Sequence, residues 1–477
     1  MSPAGRLALP LISNSQPVPT KERGAYFCMV VIGVGYMFPI CAVWAAFDYW
    51  KFLFDSSPSN QSSSLIEFEL NAVYQLGSVS TVLILSVLPG EGASVPKRVY
   101  FGFFGQFLTL AFLLSVRYWH TTITVESLRF CLLCSTVVLS VVTGVLDSAI
   151  LSLNSQYSSS MQEAMQIGIG CSIFVSVFYR IVTKAVGHTA ESSATAFFAV
   201  SLVTVLACVS AFSTLLRLPV SARVMKKLGW GSSELEMATG NFQDACEPEL
   251  SPHESSYYSP LEGDEQGQIL GRGTISRSSG SDRPSSLEEE WRDTTSKCLR
   301  PPLPSLSYVL VKSWKNELVV FLQFALCAFG YPAMITAIPS VAPFKEHWFQ
   351  TIQLGVFAVF DIISRFCMRW RLGLTPENVG WTVLLRAAVA YLLINAVYRQ
   401  SQSDFYSTLI VAAFGLTNGY LISLSLVFVN ELKNMSKSEL FVLGRFSAFA
   451  VNFGLCVGGA ISFLFARFFG SAECQSL

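Results

Sequence analysis

Eleven apolar runs dominate this 477-residue chain, each near the roughly twenty residues that a helix needs to cross the hydrocarbon core of a bilayer. They fall at 26–50, 69–89, 99–116, 128–153, 165–186 and 194–216, then at 318–340, 349–370, 380–398, 405–429 and 441–469. The pattern predicts an all-α polytopic membrane protein with eleven transmembrane helices, six before a polar segment and five after it. Charge interrupts three of the runs, with Asp147 in the fourth, Arg180 in the fifth and Arg386 in the ninth. Only 13% of residues are charged, about half the roughly 25% of soluble domains. A secreted domain, a nucleic-acid binder and a cytosolic enzyme are therefore poor fits.

The formal net charge of zero hides an uneven distribution. Residues 226–300 hold 8 basic and 14 acidic side chains, a net of −6, which leaves +6 on the rest of the chain. The Lys/Arg bias of short flanks sets orientation. With the N-terminus in the cytosol, fourteen Lys/Arg residues lie in inside flanks and six in outside flanks. The expected organisation is a cytosolic tail at 1–25, helices one to six over 26–216, and a mostly disordered acidic cytosolic loop over 217–317. Helices seven to eleven follow over 318–469, then an extracellular tail at 470–477. The sequon Asn60-Gln61-Ser62 falls in the expected outside loop, which predicts a glycoprotein. Asn434-Met435-Ser436 falls inside and should stay unmodified. Residues 226–305 are rich in Ser, Glu, Gly and Pro, too poor in apolar surface to fold alone. They form a tether between two helical bundles, and kinases acting on their serines are expected partners. Residues 1–20 lack the short apolar core and small-residue cleavage site of a secretory signal peptide, so none is expected there.

Catalytic patterns are missing. The four histidines, His120, His188, His253 and His347, lie in loops or at helix ends. No HExxH, GxSxG or P-loop pattern occurs. Cys131 and Cys134 have CxxC spacing inside an apolar run, with no second ligand pair. An enzyme, a metal site and a cofactor are not expected.

A charged side chain at the centre of a transmembrane helix costs roughly 2.5–3.5 kcal/mol on insertion scales, so each one calls for a reason. In the eighth run, Phe360-Asp361-Ile362-Ile363-Ser364-Arg365, the acid and the base are four apart and share one helix face. They form either a self-neutralising pair that holds the bundle together or a polar clamp on a water-filled cavity. As a clamp, the carboxylate accepts from vicinal hydroxyls and the guanidinium donates from its fixed fork, which suits a cis-diol such as ribose. Asp147 has no basic residue within a turn, so it needs a cross-bundle partner or a proton of its own. Gly168-x-Gly170 permits close helix packing.

These residues resemble the equilibrative nucleoside transporter family (solute carrier family 29). That family carries Phe-Asp-x-x-Gly-Arg where this chain has Phe360 to Arg365, with Ser364 in place of the glycine. Thr417-Asn418-Gly419-Tyr420-Leu421-Ile422-Ser423-Leu424 is similar to the family's Ser-Asn-Gly-Tyr-Leu-Ala-Ser-Leu. Tyr331-Pro332-Ala333 is similar to its Phe-Pro-Ala, and Gly454, Gly458 and Ser462 to Phe465 continue the likeness. The likeness is good over roughly 318–469 and thinner over 26–216. There are departures. The family's Pro-Trp-Asn reads Pro39-Ile40-Cys41 here, Asp147 stands for a glutamine that faces the base, and Ala358 stands for an asparagine.

The resemblance implies a major-facilitator-like fold and a purine nucleoside or nucleobase transporter, facilitative or proton-coupled, in the plasma membrane. It also implies that Asp361 and Arg365 hold the ribose hydroxyls and that Asp147 faces the nucleobase edge. Trp44, aligned with a substrate-facing methionine, would stack on the base, and Tyr331 and Leu455 would line the cavity. Asp147 is the residue expected to carry a proton if protons are coupled. Two other readings stay open: a major facilitator carrier of another polar solute such as a sugar, and a non-transporting receptor or scaffold working through the acidic loop.

Overall fold

The computed structural model describes residues 22–54, 66–87, 95–187, 189–227, 304–341, 348–398, 403–433 and 435–473. The Asn60 sequon, Asn434, the tail up to residue 21 and most of the acidic segment lie outside the described residues.

Every regular element among the described residues is helical. The first half contains α1 (Arg23–Ala45), α2 (Phe47–Phe54), α3 (Ile66–Val87), α4 (Val95–Trp119), α5 (Val125–Asn154), α6 (Ser159–Val186), α7 (Ala190–Arg217) and the short α8 (Pro219–Lys227). The second contains α9 (Leu306–Gly330), α10 (Ala333–Thr336), α11 (Trp348–Phe366), α12 (Thr382–Tyr398), α13 (Asp404–Asn430) and α14 (Lys437–Glu473). Ten helical spans among the described residues are long and apolar enough to cross a membrane. The eleventh expected span falls on α3, a helix of 22 residues with Glu69, Asn71 and Gln75 near its start, which is not among those ten.

Local chemistry sets the helix ends. Thr124, Thr189 and Ser403 precede α5, α7 and α13, and each accepts a hydrogen bond from a first-turn N–H, those of Ser127, Ser192 and Tyr406. Such caps satisfy donors that have no partner within the helix. Inside the helices Thr109, Ser201 and Ser313 donate back to the carbonyls of Gly105, Phe197 and Val309, so hydroxyls reach the interior without a lost bond. α9 begins at Leu306, twelve residues before the expected 318. The reason is an apolar stripe through Val309 and Val320 that packs on Leu440, Leu443 and Val451 of α14, with Lys312 paired to Glu439 at 2.7 Å. α9 stops before Pro332, whose ring excludes the preceding residue from helical geometry. Tyr331 is accordingly extended, with φ −108° and ψ 135°.

In the first half α1 packs on α6 and α7, and α5 on α3 and α4; in the second α9 packs on α14, and α13 on α11 and α12. The halves meet where α14 crosses α3 and α5, and where α11 and α13 lie on α6. The polarity is the reverse of a soluble protein. Phe104, Phe130, Val203, Leu384 and Phe405 point outward, while Asp147, Arg180, Glu317, Asp361, Arg365 and Arg386 are buried. The charges that interrupt three runs are therefore directed inward and partnered. Arg180 makes two bonds of 2.9 Å to Asp48 and one of 3.0 Å to Ser193.

Where α5 turns into α6, the halves are joined by polar contacts. Glu431 accepts from Ser159 at 3.1 Å while holding Arg371 through two bonds of 2.6 Å. Arg369 pairs with Glu163 at 3.4 Å, and Gln156 donates to the Lys437 carbonyl at 3.1 Å. The turn is braced by Tyr157, whose hydroxyl lies 2.8 Å from Ser221 of α8.

Candidate functional site

Between the halves lies a cavity of about 830 Å³, open solvent included, walled by α1, α3, α5, α6, α9, α11, α13 and α14, and by Tyr331 just beyond α9. Five of the six residues singled out from sequence border it: Trp44, Asp147, Tyr331, Arg365 and Leu455. Asp361 stands behind Arg365, fully buried.

One end is built on α11. Arg365 Nε donates to Asp361 Oδ2 at 2.8 Å, which ties the i, i+4 pair together. Nη1 donates to Ser423 Oγ at 2.9 Å and to the Gln166 carbonyl at 3.1 Å, so the guanidinium bridges the halves. Asn418 Nδ2 donates to Asp361 Oδ1 at 2.7 Å, and Arg386 Nη2 donates to Asn418 Oδ1 at 2.8 Å. Arg386 also reaches the Gln323 carbonyl at 3.1 Å and lies over the Phe414 ring. A guanidinium can only donate and a carboxylate can only accept, so Asn418 has its amide oriented by its neighbours. Two arginines thus share one buried aspartate, and this end carries an excess of positive charge. The pair is both self-neutralising and cavity-facing, through Arg365 rather than through Asp361.

Gly170 of α6 makes room for this arrangement. A methyl group at that position would run into Arg365 Cδ and come within 2.6 Å of its Nε. Gly170→Ala is expected to displace the guanidinium and lower uptake at least about tenfold, the cost of one lost charged hydrogen bond, with surface expression near wild type. Uptake normalised to surface protein checks it. Gly168, two residues earlier, packs directly on the α1 backbone at Val30 and Gly33.

The other end is built on α5. Asn452 Nδ2 donates to Asp147 Oδ2 at 2.7 Å and is the cross-bundle partner that the sequence calls for. Ser78 donates to Asn452 Oδ1 at 2.6 Å. An aromatic wall adjoins this end: Trp44 meets Tyr74 and Tyr331 edge-on, with ring centroids 6.1 and 5.8 Å apart, and Tyr331 stacks on Phe357 at 4.6 Å. Four residues bordering the cavity each keep a buried polar atom without a partner: Trp44 Nε1, Gln75 Oε1, Asp147 Oδ1 and Tyr331 Oη. Buried polar atoms are almost always paired, so four open ones around a single cavity are what a ligand site leaves.

Sequence reasoning did not assign Asn418, Arg386, Gln166, Asn452 or Gln75. Asn418 lay inside a stretch already singled out. Arg386 stood only as an interruption of an apolar run. The partners that give these residues roles come from other helices.

The family profile described as nucleoside transporter matches residues 133–467. Over 151 residues the chain is 25% identical to Nucleoside transporter 1 of Crithidia fasciculata, which covers 30% of either chain. Over 152 residues it is 26% identical to Nucleoside transporter 1.2 of Leishmania donovani, covering 30% of this chain and 31% of that one. Adenosine transporter 1 of Crithidia fasciculata is likewise 26% identical over 152 residues, 30% of each chain. The matched stretch is thus about a third of each relative's length. Among solved structures, the major facilitator superfamily proton:xylose symporter XylE bound to 6-bromo-6-deoxy-D-glucose superposes with a TM-score of 0.55, covering 94% of this chain and 96% of that one. The partially occluded inward-open xylose transporter XylE from E. coli gives 0.52, covering 94% and 98%. At 8% identity each, the likeness is one of fold alone.

Proposed function

The chain belongs to the nucleoside transporter family, and from that premise we propose that it carries purine nucleosides, and nucleobases with them, across a membrane by alternating access around the central cavity. The observation that carries this reading is the cavity's two-ended polarity, with a donor-only guanidinium at one end and an open carboxylate oxygen at the other. A nucleoside has the same two ends, hydroxyls on the sugar and a hydrogen-bonding edge on the base. Arg365 would donate to the ribose hydroxyls while Asp361 and Asn418 hold it in place. Both Asp361 oxygens are engaged by protein, so its part is to position the arginine. Asp147 would receive the base edge, with Trp44 and Tyr331 against the ring. The site lies between halves that rock about it. We place the N-terminus in the cytosol and the C-terminus outside, in the plasma membrane, with residues 226–305 as a cytosolic kinase substrate.

Uptake of radiolabelled adenosine, uridine and hypoxanthine in a transport-null host tests this, with saturable adenosine uptake expected. Failure of surface-expressed protein to carry any of the three would sink the proposal. Among the described residues bordering the cavity, Asp147 is the only acid. If acid stimulates uptake, Asp147→Asn is expected to flatten that dependence, and an unchanged profile removes Asp147 as the proton carrier.

A further inference from the structure

Two open acceptors border the cavity, Gln75 Oε1 and Asp147 Oδ1, and α3 carries both Gln75 and the first member of the relay that ends on Asp147. Gln75 of α3 is 1% exposed. Its Nε2 donates to Asn71 Oδ1 at 3.3 Å, which leaves Oε1 without a partner on a residue that borders the cavity. Three residues along, on the same helix face, Ser78 donates to Asn452, which donates in turn to Asp147 Oδ2. The second hydrogen of the Asn452 amide goes to the Ala448 carbonyl at 2.8 Å. Asn452 is therefore spent and supplies no donor to a ligand. What this end offers is Gln75 Oε1 and Asp147 Oδ1, with the Tyr36 hydroxyl beside the carboxylate. The two open donors, Trp44 Nε1 and Tyr331 Oη, belong to the aromatic wall, where Trp44 and Tyr331 meet edge-on.

Resting on the nucleoside reading above, we propose that Gln75 and Asp147 together read an exocyclic amino group on the base. An aromatic amine carries two N–H bonds that diverge in the ring plane, one for each acceptor. A carbonyl at the same ring position would place a third acceptor against these two, with only the neighbouring ring N–H left to serve one of them. A site built to pair with N–H groups rejects an analogue lacking them far more strongly than an apolar pocket rejects a small change in size. Adenosine is therefore preferred over inosine, and cytidine over uridine, members of each pair differing at this edge. Gln75 acts as a specificity-determining residue beside Asp147.

The test is the ratio of kcat/KM for adenosine over inosine, measured in one host with the full-length protein. Because both substrates pass through the same molecules, the ratio is independent of how much protein reaches the surface. The wild-type ratio is expected to exceed about tenfold, the lower range for leaving a buried acceptor unpaired. Gln75→Leu should cut that ratio by about tenfold, and Gln75→Glu, which keeps an acceptor in place, should restore most of it. Equal use of the two nucleosides by wild type would overturn the proposal, as would a Gln75→Leu ratio equal to wild type. Transport of neither nucleoside by surface protein would instead overturn the nucleoside reading on which it rests.

Discussion

Asp361→Ala is expected to abolish uptake and to destabilise the protein by about 3–5 kcal/mol, the range for removing one partner of a buried ion pair. The size of the effect follows from sharing. Asp361 is the anion for Arg365 directly and for Arg386 through Asn418, so its loss leaves two buried guanidiniums without a counter-charge. Asn418 Nδ2 loses its acceptor at the same time. The measurement is thermal stability of detergent-solubilised protein alongside uptake normalised to surface protein. Destabilisation and loss of uptake separate in a second variant. Asp361→Ala combined with Arg365→Met removes the acid and its direct partner, so it should be more stable than the sum of the single changes predicts and still fail to transport. Wild-type uptake by Asp361→Ala would show that the Arg365 geometry is irrelevant to the substrate.

Gly168→Leu is expected to prevent assembly of the first half. A Cβ there would meet the Val30 carbonyl and lie 2.8 Å from Gly33 Cα, both of them backbone, so no side-chain rotation relieves it. Helices in lipid associate by close packing at such small residues. Pushing α6 away from α1 also withdraws Gln166 and Gly170 from Arg365, which α6 holds from the first half. Overpacking a core costs about 1–3 kcal/mol, and a backbone-to-backbone collision falls at or above the top of that range. Gly24 is the control. Its nearest neighbour to an added methyl is Leu218 at 4.0 Å, an ordinary contact, so Gly24→Ala should leave the yield of folded protein unchanged. Size-exclusion profiles of the three proteins from equal membrane quantities decide between these outcomes.

The fold class is legible in the sequence because lipid allows few solutions. Long apolar runs force helices, and sparse charges inside them must face one another or a cavity. The Asp361 and Arg365 pair is legible for the same reason, since a spacing of four puts both on one helix face. Which of the two meets the cavity is not, because that depends on Asn418 arriving from α13 to occupy the second carboxylate oxygen. Helix periodicity names a face, but not the helix packed against it. Arg386 reads as a defect in an apolar run until Gln323 and Asn418 are seen around it, and Gln75 reads as an ordinary polar residue until its oxygen is found open. The start of α9 escapes sequence reading because Lys312, Lys315 and Glu317 break the apolar run there, although α14 supplies a matching stripe and Glu439.

The cavity is flanked by unlike materials on its two sides. Toward the α5–α6 turn the contacts are ionic, through Glu163, Arg369, Arg371 and Glu431, whereas near the far end of α1 they are aromatic, through Trp44 and Tyr331. Dissolved salt weakens exposed charge pairs, while apolar contact responds chiefly to temperature. Raising ionic strength should therefore loosen the ionic side, and heat the aromatic side, of one and the same cavity.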